Sequence, residues 1–105
     1  MRTRVVVGEQ GKGFLESLAP EPRRKVWRAI RDLSQDKGDI KQLDGKLAPY
    51  WRLRVGRVRI VYAQRAVRGE RQLLCFFAEH RATVYAVLEQ LLASGLVQEL
   101  KQREE

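Results

Sequence analysis

The sequence predicts an α+β fold: a strand, a helical hairpin, three antiparallel strands and a C-terminal helix, with the helices packed on one face of a small sheet. Three observations predict it. A β-branched run opens the chain at Arg2–Val7. Apolar residues alternate with arginines from Trp51 to Tyr62, and an unbroken apolar run spans Leu73–Ala78. Two stripes of helical period, Val26–Leu33 and Val84–Leu92, flank these strand patterns.

Taken in order, Arg2–Val7 reads as a strand and Gly8–Gly13 as its punctuation. Phe14, Leu15 and Leu18 then fall at helical spacing until Pro20. A second helix begins near Pro22, because proline is tolerated in a first turn. Val26, Trp27, Ile30 and Leu33 form its apolar stripe, and Gly38 closes it. Arg23, Arg24, Lys25, Arg28 and Arg31 cover the remaining sides as a solvated surface.

In the next stretch Trp51, Leu53 and Val55 point one way, and Arg52 and Arg54 the other. Beyond Gly56, Val58, Ile60 and Tyr62 share a face opposite Arg57 and Arg59. Both apolar rows need the same core, so the four arginines meet on the opposite face. A two-residue turn at Val55-Gly56 would set Arg52 against Arg59 and Arg54 against Arg57. Valine suits positive φ poorly, so a bulged turn with other pairing stays open. Trp51 and Tyr62 are expected in the core rather than stacked on bases. Leu73–Ala78 suits a central strand buried on both faces, with Cys75 as core packing. Val84, Val87, Leu88, Leu91 and Leu92 give the last helix, ended by Gly95. The segment after it adds a turn or two and frays at about residues 101–105.

Composition bounds the function. The 105 residues form one domain, 1–105, with 44% hydrophobic residues. No apolar run is long enough to span a membrane and no signal peptide is visible, so a cytoplasmic protein is expected. The lone Cys75 excludes an internal disulfide and a thiolate metal cluster. The net charge is +8. Lys46, Arg52, Arg54, Arg57, Arg59, Arg65 and Arg68 lie between Gly45 and Gly69 without one carboxylate, while the other 14 basic and 13 acidic residues nearly balance. Charge concentrated in one hairpin points to an anionic partner. Like charges opposed across strands are unfavourable. A merely solubilising edge would use lysine or mixed signs. Arginine forks match phosphate oxygens, so Lys46, Arg52, Arg54, Arg57 and Arg59 are expected to bind phosphate.

The ordered set Leu43 with Gly45, Trp51, Arg52 and Arg54, Gly56, Arg59–Tyr62, and His80-Arg81-Ala82-Thr83-Val84-Tyr85 resembles the RelE/ParE superfamily of type II toxins. Glu79 stands where that superfamily usually has glycine, and Arg57 adds a charge at an often variable position. The resemblance implies a RelE-like fold. It also implies a metal-free, cofactor-free ribonuclease that cuts mRNA in the ribosomal A site through attack of the substrate's 2′-hydroxyl. By position, Arg52 and Arg54 match the basic pair on the first hairpin strand and Arg59 the phosphate-binding arginine on the second. Arg81 and Tyr85 match the pair at the last strand–helix junction. Arg54, Arg59, His80, Arg81 and Tyr85 are thus the expected catalytic set, with His80 and Tyr85 as candidate proton carriers. A cognate antitoxin is the implied protein partner. ParE-like members act on DNA gyrase instead. A non-catalytic nucleic-acid-binding module and an inactive toxin are the other readings.

Overall fold

β-branched Thr3–Val7 forms the first strand, β1, as its composition dictates. The structure, a computed structural model, describes residues 2–95, 97 and 100. After β1 come helices α1 (Glu9–Glu16) and α2 (Pro20–Asp32), with a 3₁₀ turn at Leu33–Gln35. Strand β2 (Asp39–Gln42) and a second 3₁₀ turn (Gly45–Leu47) lead to β3 (Trp51–Val55), β4 (Val58–Val67) and β5 (Glu70–His80). Helix α3 (Val84–Ala93) follows. The sheet order is β1-β5-β4-β3-β2, with β1 parallel to β5 and the other pairs antiparallel. The expected α+β fold class is the observed one. The tail at 101–105, expected to fray, lies outside the described residues. No helix among the described residues is long and apolar enough to cross a membrane.

Several details differ from the sequence expectation. α1 begins at Glu9, inside the stretch read as punctuation. Its Gln10 amide donates to the Ala78 carbonyl (2.8 Å) and accepts from the Ala78 N–H (2.7 Å). β1 has ended by then, so this side chain satisfies backbone groups of β5 that no strand reaches. Gly11 allows the approach: a Cβ there would meet Val7 Cγ1 at 3.0 Å. α2 starts at Pro20, and the turn after it ends on Asp36 in the left-handed region, ahead of Gly38. β2 was not foreseen.

The helices do not all share one sheet face. Leu15, Val26, Ile30 and Leu33, from α1, α2 and the turn that follows, pack on Leu53, Ile60, Tyr62, Leu73 and Cys75. Val84 and Leu88 of α3 pack on the other face against Val61, Leu74, Phe76 and Phe77. The physical reason is β5. Its unbroken apolar run presents side chains to both faces, and each face needs a cover. The register also shifts between Val61 and Tyr62, which pair with Phe77 and Cys75. Phe76 is the extra residue of this bulge, and both phenylalanines belong to the α3-side cluster.

The β3–β4 turn is one residue later than the simplest expectation. Val55 pairs with Val58, leaving Gly56-Arg57 as the turn, and Gly56 supplies the positive φ of 58° that valine resists. Arg54 therefore opposes Arg59, and Arg52 opposes Val61.

Cys75 is buried, and burial pushes its thiol up to about 12. At pH 8 the native protein should resist alkylation by iodoacetamide and react only after unfolding in urea. Fast labelling of the folded chain would contradict this packing of β5.

Candidate functional site

The register that opposes Arg54 and Arg59 gathers charge on the α3 side of the sheet, beyond the edge of the helix. Arg52 and Arg54 of β3, Arg59 of β4 and Tyr85 of α3 line one open cavity of about 470 Å³. Lys41 of β2 and Asp44, at the start of the loop to β3, line it as well.

Each arginine is braced. Nη1 of Arg59 donates to the carbonyls of Gly56 (2.8 Å) and Val58 (3.1 Å) in its own hairpin. Partial burial holds the Arg59 guanidinium below its usual range. The nearby Tyr85 phenol opposes that shift, and the positive charges of Arg54, Arg52 and Arg81 add to it. Arginine remains cationic at physiological pH, so the site keeps a field that an incoming anion relieves. On the other side, Nη1 of Arg52 donates to the Asp39 carbonyl (3.0 Å) and to its Oδ1 (3.1 Å). Nε of Arg54 reaches Asp39 Oδ2 at 2.8 Å. One carboxylate thus spans the two arginines of β3. The hydrogen bond from Arg52 holds the Asp39 carboxyl below the usual carboxylate range, with the charges of Arg54 and Arg59 acting the same way.

The remaining expected residues are dispersed. Arg57 is exposed in the turn. Its carbonyl accepts from the Arg81 N–H (2.8 Å), which ties the start of the α3 connection to the hairpin tip. Lys46 pairs with Glu89 of α3 (Nζ to Oε1, 3.4 Å). Glu79 is the register partner of Arg59, and its Oε1 accepts from the His80 N–H at 3.0 Å. His80 pairs with Val58, on the α1–α2 side. Its ring meets Phe14 edge-on, with centroids 5.1 Å apart. The structure therefore separates His80 from the arginines, because alternation in β5 sends Glu79 and His80 to opposite faces. Sequence reasoning missed Asp39, Lys41 and Asp44. Among the described residues no three His, Cys, Asp or Glu side chains lie together as a metal site.

With this geometry in hand, comparison with solved structures is decisive for the fold. A YoeB/ParE toxin from Agrobacterium tumefaciens superposes with a TM-score of 0.61 at 20% identity, over 73% of this chain and 97% of that one. The chain has the RelE/ParE toxin fold. The RelBE toxin–antitoxin complex of Mycobacterium tuberculosis gives 0.63 at 22% identity, over 77% of this chain and 100% of the other. A RelB–RelE antitoxin–toxin complex from Methanococcus jannaschii gives 0.56 at 20%, over 78% and 96%. At such identities the likeness is one of fold. No protein-family model matches the sequence, and no curated protein matches it significantly.

In this RelE/ParE-like chain the Asp39 clamp should outlast ordinary carboxylate titration. A carboxyl with a lowered folded value contributes above the unfolded value and is lost as pH falls through the folded one. The Nε resonance of Arg54, followed by NMR on acidification, should therefore move with a midpoint below the reference of about 3.9. A midpoint at or above that reference would contradict the clamp.

Proposed function

We propose that this chain is the toxin of a type II toxin–antitoxin pair and a ribosome-dependent endoribonuclease that cuts mRNA in the A site without a metal. The observation that carries this reading is the convergence of Arg52, Arg54, Arg59 and the Tyr85 phenol on one cavity. Its toxin fold supports the first part, since two of the similar structures are toxins solved with their antitoxins. Such a protein works in the cytoplasm, where the ribosome is.

The chemistry follows from the charge. A substrate 2′-hydroxyl attacks the adjacent phosphorus, the P–O5′ bond breaks, and the products are a 2′,3′-cyclic phosphate and a 5′-hydroxyl. One proton leaves the 2′-oxygen and one reaches the departing 5′-oxygen, so no cofactor is consumed. Negative charge builds on the phosphoryl oxygens in the transition state, where braced guanidinium groups stabilise it without reorganising. Arg54 and Arg59 fill that role, with Arg81 adding to the field. Arg52, engaged with Asp39, orients Arg54. Tyr85 is the phenol placed to carry a proton at the same cavity.

Arg59→Ala should weaken binding and slow cleavage further, since a preorganised donor contributes about 3 kcal/mol to such a transition state. Tyr85→Phe keeps the packed ring and should slow cleavage on the order of a hundredfold or more while leaving ribosome binding intact. His80→Gln should cut close to the wild-type rate, because His80 lies on the other face. Single-turnover cleavage of ribosome-bound message measures all three, with thermal melting as the folding control. A wild-type rate for Tyr85→Phe would remove the phenol from the mechanism. No cleavage by the wild type, together with inhibition of gyrase supercoiling, would instead favour a ParE-like activity.

Binding should also be salt-sensitive. Log K for single-stranded RNA should fall by about 0.7 per neutralised phosphate per decade of salt. Titrations between low and physiological salt test this, and a flat response would contradict a polyanion partner.

A further inference from the structure

The arginine cavity crosses three strands. Arg59 of β4, Arg52 and Arg54 of β3 and Lys41 of β2 all line it. Register explains why. Arg54 pairs with Arg59 and Asp39, and Arg52 pairs with Val61 and Lys41, so two rows cross the sheet side by side. Val61 packs in the α3-side cluster, and Ile40, the neighbour of Lys41, packs in the α1–α2 one. Alternation therefore puts the Lys41 side chain on the same face as Arg52, Arg54 and Arg59. β2 is the edge of the sheet, so Lys41 is the outermost cation of its row.

The fold alone gives this lysine little reason to be there. It lies directly across from Arg52, and like charges so placed repel. A charge on an edge strand discourages association of sheets. A glutamate would do so equally and would also pair with Arg52. Asp39 spans Arg52 and Arg54, whereas no carboxylate among the described residues is in ion-pair contact with Lys41. The lining holds four cations and one carboxylate, Asp44. Setting Asp44 and Asp39 against those cations leaves two positive charges, while a phosphodiester carries one negative.

Position separates the roles of these cations. From the midpoint between Arg54 and Arg59, Lys41 is about one and a half strand spacings and two residues away, or roughly 10 Å of backbone. That offset suits the next phosphate of a strand rather than the one centred on the two arginines. Lysine suits it too. A compact charge on a flexible stem holds a flanking phosphate, on which no charge develops during the reaction.

We propose that Lys41 binds a second phosphate of the RNA, the neighbour of the one held between Arg54 and Arg59, and so directs the strand out of the cavity over the β2 edge. The proposal rests on the ribonuclease reading above.

Lys41 is exposed, so Lys41→Gln should keep the fold, with thermal melting as the control. The probe is a short oligoribonucleotide with every 2′-oxygen methylated, so that it binds uncut, and anisotropy of an end label reads its affinity. A fourfold rise in salt should cost the wild type roughly 2.5-fold more affinity than it costs Lys41→Gln, which is one phosphate's share of the salt dependence. Lys41→Arg should restore the wild-type slope. Arg28→Gln, which removes an exposed charge from α2, should leave that slope unchanged. In single-turnover cleavage of ribosome-bound message, Lys41→Gln should need more protein for its half-maximal rate and still reach the wild-type maximum. A wild-type slope for Lys41→Gln, or an equal loss of slope for Arg28→Gln, would overturn the second phosphate site and leave the arginine site standing. A lowered maximum with unchanged half-saturation would overturn the binding role and move Lys41 into the chemistry. Salt-independent binding by the wild type would overturn the RNA reading as well.

Discussion

The rest of the molecule depends on the register of one hairpin. Leu53 against Ile60 and Arg54 against Arg59 are consecutive pairs of the same ladder. The first pair is buried with α1 and α2, so the second must face the other way. A slip of one residue would bury two guanidinium groups and expose two core side chains, an exchange that no local rearrangement offsets. Hydrophobic packing on one face thus enforces charge crowding on the other. The protein then manages the crowding locally, with carbonyls of the turn for Arg59 and one carboxylate across Arg52 and Arg54. Those bonds hold the cations in place but leave the field incompletely neutralised, which is what an anion-binding surface requires.

α3 completes the arrangement from the opposite layer. Val84 and Leu88 seat it on Phe76 and Phe77, and the same seating brings Tyr85 to the arginine cavity. The bulge in β5 contributes by turning two consecutive phenylalanines towards α3. Core packing and site assembly are therefore one event on this side of the sheet. The Arg81 N–H bonded to the Arg57 carbonyl adds a second tie between the α3 connection and the hairpin tip.

Much of this was legible in the sequence, for identifiable reasons. Alternation from Trp51 to Tyr62 is a strong signal because one face is apolar and the other is charged, so the faces of Leu53, Arg54, Arg59 and Ile60 follow without coordinates. The run Leu73–Ala78 marked β5 as central, and the same run implied covers on both faces, a consequence the one-face expectation did not draw. β2 was not legible. Its four residues, Asp39–Gln42, hold one apolar side chain and gain strand structure only from pairing with β3. With β2 unseen, Asp39 could not be recognised as the brace of Arg52 and Arg54. The face that His80 takes was not legible, because an all-apolar strand has no alternation from which to read which face its end residues take. The turn at Gly56-Arg57 follows from positive φ at glycine, which also removes Arg57 from the sheet face.

The central claim is that the braced arginines of β3 and β4 are the surface that meets RNA phosphate, whereas the more numerous basic residues of α2 are solvated surface. Side-chain NMR of the arginine Nε–H groups, during titration with a 2′-O-methylated single-stranded RNA, tests this most directly. The account expects Arg54 and Arg59 to shift first and together, with Arg24 and Arg28 unmoved at matched salt. Shifts confined to Arg24 and Arg28, with Arg54 and Arg59 unchanged, would contradict it.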